Sequence, residues 1–379
     1  MKNFCGYFNQ GICRSCELLP SEYSDQIVRK ETILKDNLAG LGSFTLLPTQ
    51  TSSLQGFRSK AKMSVSGSIE NPIIGLSGEK NPDSAKEILA CPVHHEKINL
   101  VLGAMKEFIG QCRLQPYNIE ARTGELKGLI LFYSEESNQM YVRMILRSKE
   151  SLDRIKKPAL VLMQTFPFIH CLSANIQPVP HAILEGPEEI ILAGNDSILH
   201  RLGNIELSIK PRAFVQTNHR VSKKLYETAA EWIKELRPEK FSELYCGQGA
   251  FSFFAAPYVE NALGIEINAD AVAMANLLAS KLNYTHLRFE AGDAALVRVK
   301  LENFSPDVVL VNPPRRGLGE ALSLFQDNKY PHILYSSCSW QTLASDLKSL
   351  PGYQIDKAQI FDMFPHTNHF ETLVSLSRK

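Results

Sequence analysis

The 379-residue sequence lacks several features that would place a protein in a specialised class. No apolar run approaches the roughly 20 residues that span a bilayer, so we expect no membrane-spanning helix. Residues 1–20 lack the apolar core of a signal peptide, which predicts a cytoplasmic protein. The net charge is only +1, so any nucleic-acid-binding surface has to be a local basic patch.

A reducing compartment disfavours disulfides, so the eight cysteines need another explanation. Cys5, Cys13 and Cys16 form a C-x7-C-x2-C pattern, and Cys91 is the next cysteine along the chain. Three thiols this close together, with Cys91 as a fourth, indicate a site for zinc or for an iron–sulfur cluster, and the spacing does not separate the two. The alternative is a set of unligated thiols packed in the fold.

Residues 241–268 have the pattern of a strand, a glycine turn, a helix and a second strand. Gly247 and Gly249 match the first two glycines of the dinucleotide-binding motif G-x-G-x-x-G, but Ser252 takes the place of the third. Glu266 closes the second strand, where a carboxylate can accept both hydroxyls of a ribose. A ligand with a ribose and an adenine but no phosphate suits these residues, which predicts S-adenosylmethionine as the cofactor.

Further polar residues stand at the ends of the later strand patterns. Asp293, Asn312 and Cys338 occupy such positions, and helix patterns separate the strands. Because the carboxyl ends of parallel strands meet at one edge of a sheet, we expect these residues and Glu266 to share one crevice. Asp293 is placed to receive an adenine amino group or, alternatively, to cap the next helix. The predicted fold class is α/β, with a Rossmann-like methyltransferase domain over residues 211–379.

The stretch 45–210 is rich in strands, and its clearest feature is a hairpin pattern over residues 127–147. We interpret it as a separate α+β domain with an antiparallel sheet. A helix predicted over residues 21–40 is expected to pack on one of the domains and is grouped with the Rossmann-like one. The cysteine segment, residues 1–20, precedes that helix. Repeats and low-complexity tracts are absent from the sequence, and its length favours two domains.

Arg58, Lys60 and Lys62 alternate with apolar residues in a strand pattern over residues 56–67, so we expect them to share one face. That face is either an ordinary solvated sheet surface or a basic strip that holds nucleic-acid phosphates without reading the bases. The pattern alone leaves both interpretations open.

Asn312 begins an Asn-Pro-Pro motif, and its amide can donate to and accept from the edge of a planar base. Cys338 ends the next strand as either a core thiol or a nucleophile. A thiolate that adds to C6 of a uracil makes C5 nucleophilic enough to attack the methyl group of S-adenosylmethionine. The C5 proton then needs a base, for which His366, His369 and Glu371 are available. The apolar surroundings favour Glu371, as a carboxyl with a raised pKa.

Taken together, six motifs of this sequence resemble the RNA uracil-C5 methyltransferases, and the match extends over nearly the whole chain. The motifs are FVQTN, LYCGQGAFS, GIEIN, VNPPRRG, YSSC and DMFPHTNHFE. The resemblance implies that Cys338 is the nucleophile and Glu371 the general base. It also implies cofactor contacts from Gln216, Tyr245, Glu266 and Asn312. Tyr245 stands where the family commonly has phenylalanine and Asn312 where many members have aspartate, which leaves their individual contacts open.

The resemblance also bears on the metal and on the substrate. The N-terminal cysteine pattern together with Cys91 matches the iron–sulfur members of the family and implies a [4Fe–4S] cluster. Within the family the likeness is greatest to the shorter 23S rRNA uracil-747 type, so the implied partner is 23S rRNA. The strand-rich domain would contact that RNA, which gives the strip of Arg58, Lys60 and Lys62 a role. The target uridine would have to leave its stack to reach the thiol.

Two alternatives remain at this point. The first is a tRNA uridine C5-methyltransferase, although such enzymes lack the N-terminal cysteines. The second is a non-enzymatic iron–sulfur protein that binds RNA or carries electrons, which leaves the co-location of Glu266, Asn312 and Cys338 unexplained. We expect a monomer.

Overall fold

The computed structural model describes residues 4–77, 85–179 and 185–379, and the chain divides into two compact units. Unit 1 comprises Met1–Ser15, Ser53–Leu202 and Ser208–His219. Unit 2 comprises Cys16–Ser52, Gly203–Leu207 and Arg220–Lys379. Residues 1–3 of the predicted cysteine segment, and residues 78–84 and 180–184 of the predicted central domain, lie outside the described residues.

In chain order the strands are β1 (Thr45–Gln50), β2 (Lys60–Gly67), β3 (Pro72–Ser77), β4 (Ala85–Glu87), β5 (Leu126–Ser134), β6 (Gln139–Leu146), β7 (Ile169–Ile176), β8 (Glu188–Gly194), β9 (Ile198–Leu202), β10 (Ile205–Ile209), β11 (Lys240–Leu244), β12 (Asn261–Glu266), β13 (Leu287–Ala291), β14 (Val308–Val311), β15 (His332–Ser337), β16 (Tyr353–Phe361) and β17 (Glu371–Arg378). The α-helices are α1 (Gly6–Asn9), α2 (Tyr23–Leu38), α3 (Glu96–Gln111), α4 (Leu152–Thr165), α5 (His219–Leu236), α6 (Ala250–Ala255), α7 (Ala269–Lys281), α8 (Arg298–Phe304) and α9 (Trp340–Lys348). Short 3-10 helices cover Ala256–Tyr258, Ala294–Leu296 and Gly319–Leu324. Within the ranges that the structure describes, none of these helices is long and apolar enough to cross a membrane.

Unit 2 is built on an eight-stranded sheet with the order β1-β16-β17-β15-β14-β11-β12-β13. Strands β11 to β15 run parallel to one another, as their alternation with helices predicts. Strand β17 runs antiparallel to both of its neighbours, β15 and β16. This reversal brings the start of β17 to the edge where the parallel strands end, since Thr372 lies opposite Ser337 in the register.

The N-terminal helix α2 packs on unit 2, within the range 21–40 in which the sequence predicts it. Leu34 and Leu38 are fully buried and belong to the same apolar core as the strand residues Val309 and Val311. The parallel strands are short apolar runs because both of their faces are covered, and all four residues of β14 are buried.

Polar contacts also join α2 to the loop that leads into β17. Lys30 and Asp362 form a fully buried ion pair, with 2.6 Å between Nζ and Oδ1. Tyr23 donates to the other oxygen of Asp362 at 2.8 Å. The side-chain oxygen of Gln26 accepts from the backbone N–H of His366 at 2.9 Å. Helix α2 therefore fixes the position of this loop.

Unit 1 contains a seven-stranded sheet with the order β4-β3-β2-β5-β6-β7-β8. The predicted hairpin is formed by β5 and β6. The predicted antiparallel sheet is confirmed for the other neighbouring pairs, but β6 and β7 run parallel. The crossover between them is α4, which the sequence pattern does not reveal because Pro158 lies inside this helix. The sheet is therefore mixed.

A separate apolar core lies between the unit 1 sheet and its helices. The buried residues of α3 recur at helical spacing and belong to this core: Ile98, Val101, Leu102, Met105, Phe108 and Ile109. Strand β2 contributes Ala61 and Met63 from alternate positions. The face of β2 that carries Lys60 and Lys62 is therefore the face turned away from the core.

Strand β1 shows where the chain passes from one unit to the other. The predicted central domain begins at residue 45, but β1 pairs in parallel with β16 at the edge of the unit 2 sheet. The chain returns to unit 1 at Ser53. The six residues of β1 add an edge strand to the Rossmann-like sheet.

The buried ion pair of α2 gives a stability prediction. Asp362→Asn leaves the Lys30 ammonium without its counter-charge in a dry site, so we expect the free energy of unfolding of unit 2 to fall by about 3–5 kcal/mol. Both tryptophans, Trp232 and Trp340, belong to unit 2, so their fluorescence during urea unfolding reports on this unit. As a matched control, Asp153→Asn removes a carboxylate from an exposed pair with Lys156 and leaves the unfolding midpoint unchanged. Equal midpoints for Asp362→Asn and the parent protein would show that the pair does not hold α2 in place.

Candidate active site

The carboxyl ends of five parallel strands meet at one edge of the unit 2 sheet. The residues that the sequence singles out at strand ends stand along this edge: Tyr245 after β11, Glu266 at the end of β12, Asp293 after β13, Asn312 after β14 and Cys338 after β15. Strand β17 starts at the same edge with Glu371, which lies opposite Phe361 of β16. The structure thus brings these six polar residues to one side of the sheet.

The turn between β11 and α6 is made of residues with left-handed backbone conformation. Tyr245, Gly247 and Gly249 have φ angles of 60°, 55° and 79°. A Cβ on Gly247 would meet no atom within 4 Å, whereas a Cβ on Gly249 would lie 2.4 Å from a ring atom of Phe289. Gly247 therefore leaves open space for a ligand, and Gly249 allows the close packing of the turn against β13.

The Glu266 carboxylate is held by backbone groups on two sides. The N–H of Gly247 donates to Oε2 at 3.0 Å, and the N–H of Asn268 donates to Oε1 at 2.9 Å. The side chain is half-buried at the mouth of the glycine turn. Each oxygen keeps a lone pair for a further donor, which is the arrangement that two ribose hydroxyls require.

Tyr245 and Asp293 lie close together beside this carboxylate. Asp293 Oδ1 accepts from the N–H of Ala295 at 3.0 Å, so the residue caps the following 3-10 helix, as one of the two sequence interpretations predicts. Its Oδ2 takes no part in that cap. Burial and the charge of Asp293 raise the pKa of the Tyr245 hydroxyl, which donates to the backbone oxygen of Leu318 at 3.4 Å. Tyr245 therefore connects the glycine turn to the loop that follows Asn312.

Cys338 is half-buried and lies between charges of opposite sign. Burial and the Glu371 carboxylate raise the pKa of the thiol, whereas the charge of Arg315 and a hydrogen bond from it act in the opposite direction. Arg315 is therefore the group that can stabilise a thiolate here. Sequence analysis does not single out Arg315, although its place in the VNPPRRG motif, three residues after Asn312, is a usable signal.

Glu371 is the buried first residue of β17. Burial raises the pKa of its carboxyl to about 7, and a hydrogen bond from Ser336 Oγ at 2.8 Å opposes the shift. A carboxyl that titrates near neutral pH can both take up and release a proton under physiological conditions. The raised pKa agrees with the sequence prediction for this residue.

The two histidines considered as alternative bases have different surroundings. His366 is buried against α2, with Nδ1 3.4 Å from the Gln26 amide nitrogen. His369 is exposed, and its pKa is lowered by burial of part of the ring and by the charge of Arg315. Glu371, in contrast, is close enough to Cys338 for its charge to act on the thiol. The geometry therefore favours the Glu371 carboxylate over the two histidines as the candidate base.

Gln216 and the basic strip belong to unit 1 and stay predictions as ligand contacts. Lys60 and Lys62 lie on β2, but Arg58 precedes the strand and forms an isolated parallel bridge with His94. Burial and the charge of Lys62 lower the pKa of Lys60 to about 8. Lys62 itself is paired with Glu185, with 2.8 Å between Nζ and Oε1.

The predicted cysteine ligands are divided between the units, with Cys5, Cys13 and Cys91 in unit 1 and Cys16 in unit 2. Burial raises the pKa of the Cys91 thiol, and the neighbouring Cys5 and Cys13 act in the same direction. Three of the thiols are thus near one another. Across residues 4–77, 85–179 and 185–379, however, no group of three or more ligating side chains has the geometry of a metal site. The cluster that the resemblance implies stays a prediction.

Comparisons with known proteins identify the family of this chain. A family model described as tRNA (Uracil-5-)-methyltransferase matches residues 203–379. A 23S rRNA (uracil(747)-C(5))-methyltransferase RlmC from Haemophilus influenzae is 39% identical over 387 residues, covering 99% of this chain and 98% of its own. The protein of the same name from Proteus mirabilis is 40% identical over 373 residues, covering 98% of each chain.

Among solved structures, the Pyrococcus abyssi tRNA (uracil-54, C5)-methyltransferase in complex with S-adenosyl-L-homocysteine has a TM-score of 0.78 to this chain at 25% identity. The match covers 95% of this chain and 85% of that one. The fold and the row of polar residues at the strand ends define an α/β methyltransferase. More specifically, the chain belongs to the RNA uracil-C5 methyltransferases, and over its length it is similar to the RlmC members of that family.

The opposing charges around Cys338 give a prediction that does not depend on any substrate. Arg315→Ala removes the cation that favours the thiolate, so we expect alkylation of Cys338 by iodoacetamide at mildly alkaline pH to slow by roughly three- to tenfold. Arg315→Lys keeps the charge and restores most of the rate. Glu371→Gln removes the opposing carboxylate and accelerates alkylation. Mass spectrometry of the Cys338 peptide separates this thiol from the other cysteines, and equal rates in all four proteins would contradict the assignment.

Proposed function

We propose that this protein transfers a methyl group from S-adenosylmethionine to C5 of one uridine in 23S rRNA. The observation that carries the proposal is the adjacency of Cys338 and Glu371 at the carboxyl edge of the sheet, where the carboxylate charge acts on the thiol. A nucleophile beside a buried base is the pair that C5 alkylation of a uracil needs. The full-length similarity to RlmC proteins supports the choice of RNA and of base.

Cys338 acts first, as a thiolate that adds to C6 of the uracil. Arg315 favours the thiolate, whereas burial opposes it. The thiolate therefore depends on the nearby guanidinium and not on exposure of the sulfur to water. The addition breaks the C5–C6 double bond and places the electron pair on C5 and O4. Bound S-adenosylmethionine supplies the methyl group that C5 then takes up, leaving S-adenosylhomocysteine.

Glu371 completes the reaction by accepting the proton from C5. The electrons of the C5–H bond re-form the C5–C6 double bond, and the bond between C6 and the Cys338 sulfur breaks. The thiolate is released, and the proton resides on Glu371 until it passes to water. A carboxyl with a pKa of about 7 suits this task because both of its protonation states are accessible near neutral pH.

The cofactor would lie over the glycine turn. Glu266 would accept from the ribose hydroxyls, and the unused Oδ2 of Asp293 would accept from the adenine amino group. Tyr245 and Asn312 would border the methyl-donor end, between the turn and Cys338. Gln216, implied by the family resemblance, would add a contact from the FVQTN motif. Position at the strand ends supports the assignments in unit 2, whereas that of Gln216 rests on the family resemblance alone.

The RNA would lie along the basic strip of unit 1, where Arg58, Lys60 and Lys62 would contact phosphates. The pairing of Lys62 with Glu185 is solvent-exposed, so a phosphate can compete for the ammonium group. A uracil reaches a buried thiol only when it is flipped out of its stack. Action on ribosomal RNA also fits the cytoplasmic location expected from the sequence.

We further infer that Cys5, Cys13, Cys16 and Cys91 ligate a [4Fe–4S] cluster. Support comes from the C-x7-C-x2-C spacing, from the family resemblance, and from the proximity of Cys5 and Cys13 to Cys91. Soft thiolate donors are the ligand type that such clusters take. Methyl transfer moves no electrons through the cluster, so its role would be to brace the fold or to contribute to RNA binding.

The nucleophile and the substrate can be tested together in cells. We expect deletion of the gene to remove 5-methyluridine from one position of 23S rRNA, as mapped by mass spectrometry of rRNA fragments. A plasmid copy restores it, and so does Cys112→Ala, a matched change of a buried cysteine in unit 1. Cys338→Ala still binds S-adenosylhomocysteine in calorimetry but lowers methylation by roughly a thousandfold or more. Normal methylation by Cys338→Ala would show that Cys338 is not the nucleophile. Loss of 5-methyluridine from tRNA instead of 23S rRNA on deletion of the gene would make this a tRNA enzyme.

The metal assignment has a separate test. Protein purified without oxygen should contain about four iron and four sulfide ions per chain. Cys91→Ala should lose them, whereas Cys171→Ala, which changes a buried thiol on β7, should keep them. If the parent protein contains zinc and no sulfide, the four cysteines form a zinc site and not an iron–sulfur cluster. Metal-free parent protein with normal methylation would leave the cysteines as unligated thiols.

A further inference from the structure

Ser336 has no role in the chemistry above, yet it contacts the base directly. Its Oγ donates to Glu371 Oε1 at 2.8 Å. Both residues are buried, with 0% and 1% of their surface exposed. A hydroxyl in the first serine of the YSSC motif is thus committed to the carboxylate rather than to the backbone or to water.

The geometry comes from the strand pairing, not from a mobile loop. Ser336 lies in β15 and Glu371 in the antiparallel strand β17, which are neighbours in the sheet. Successive side chains of a strand alternate between faces, so Ser337 points away from Glu371. The Ser337 hydroxyl instead donates to the backbone oxygen of Ser339 at 3.1 Å. The two adjacent serines therefore have the same chemistry but different partners.

The groups around Glu371 determine how much its ionised form depends on the hydrogen bond from Ser336. Tyr226 of α5 and Cys338 at the end of β15 are the titratable groups whose pKa values its charge affects, and both of those pKa values are raised. From β16, the residue opposite Glu371 is Phe361, which is apolar. Ser336 is the one side-chain donor to the carboxylate within the part of the chain that the structure describes. The ionised form of Glu371 therefore depends on a single hydroxyl.

We propose that Ser336 is a positioning residue that keeps the Glu371 carboxylate oriented towards C5 and ionised when the proton is removed. The inference rests on the proposed function and refines it. The hydroxyl takes no proton from substrate: Glu371 accepts the C5 proton, the C5–C6 double bond re-forms, and the Cys338 thiolate leaves. Ser336 acts by stabilising the charged state of the base before that step. Without it, burial acts on the carboxyl unopposed.

Ser336→Val and Ser336→Thr form an isosteric pair that separates the hydroxyl from the shape of the side chain. The substrate is an RNA fragment labelled with tritium at C5 of uridine, so that tritium release reports proton removal in a single turnover. Methyl incorporation measured in parallel reports the earlier step. Since proton removal needs the ionised base, its rate falls as pH drops through the pKa of Glu371.

We expect Ser336→Val to move the midpoint of the tritium-release profile to higher pH by about one to two units, because a hydrogen bond to a charged group is lost. Ser336→Thr keeps a midpoint within a few tenths of a unit of the parent value. At neutral pH the Val variant also accumulates a methylated RNA–protein adduct that survives denaturing gel electrophoresis, since the thiolate cannot leave until the proton does. Ser337→Ala, the neighbouring hydroxyl, leaves the midpoint unchanged whatever its rate.

The possible results separate this inference from the function on which it rests. A parent enzyme that methylates RNA, together with identical midpoints for the Val and Thr variants, overturns the role of Ser336 and leaves the proposed function intact. A parent enzyme that releases no tritium from any 23S fragment overturns the function itself. Thermal unfolding of each variant is measured alongside as a check on folding. If the Thr variant shows the same shift in the midpoint of the tritium-release profile as the Val variant, packing at this position is responsible and not the hydroxyl.

Discussion

Strand β17 pairs with β15 and β16 in the direction opposite to that of the parallel strands, and the arrangement of the site depends on this pairing. A parallel strand in that place would begin at the far edge of the sheet, and its first residue would be remote from Cys338. The reversal instead puts Glu371 where the other strands end. Because the residue is part of a central strand, it is held by ladder hydrogen bonds and sealed from water, and the sealing makes the carboxyl weakly acidic. The antiparallel pairing of β17 thus accounts for both the position of Glu371 and the raised pKa of its carboxyl.

Cys338 and Glu371 lie close together at this edge, and the proposed reaction needs both of them as anions. A thiolate and a carboxylate side by side repel each other, and the charge of Glu371 together with burial raises the pKa of the Cys338 thiol. Arg315 offsets the repulsion at the sulfur, and the hydrogen bond from Ser336 opposes the effect of burial on the carboxyl of Glu371. The proposed reaction would use the two groups at different times, since the sulfur would be bonded to the uracil when the carboxylate is needed. In that proposal, the covalent bond between Cys338 and the uracil removes one of the two negative charges before the second is required.

Sequence patterns predict the parallel strands β11 to β15 and the polar residues at their ends, because an apolar run followed by a polar residue is a local signal. They also predict α2 and the β5–β6 hairpin. They miss features that depend on pairing between distant strands, namely the partnership of β1 with β16 and the parallel contact of β6 with β7. They also miss α4, because Pro158 inside it interrupts the helical pattern. In the site, Glu371 is predictable, whereas the contacts of Arg315 and Ser336 are not, since each follows from the folding of separate strands onto one edge. The metal site and the contacts of Gln216 stay predictions.

The insertion of β17 between β15 and β16 has a consequence for the order of assembly. Residues 371–378 follow every other strand of the sheet in the chain, yet they occupy an interior place. Until they emerge from the ribosome, β16 has no partner on that side, and β1, which pairs with β16, cannot be anchored to the rest of the sheet. Such long-range pairing is slow to form. Nascent chains that stop short of residue 371 would lack Glu371 and would expose two unpaired strand edges, one on β15 and one on β16.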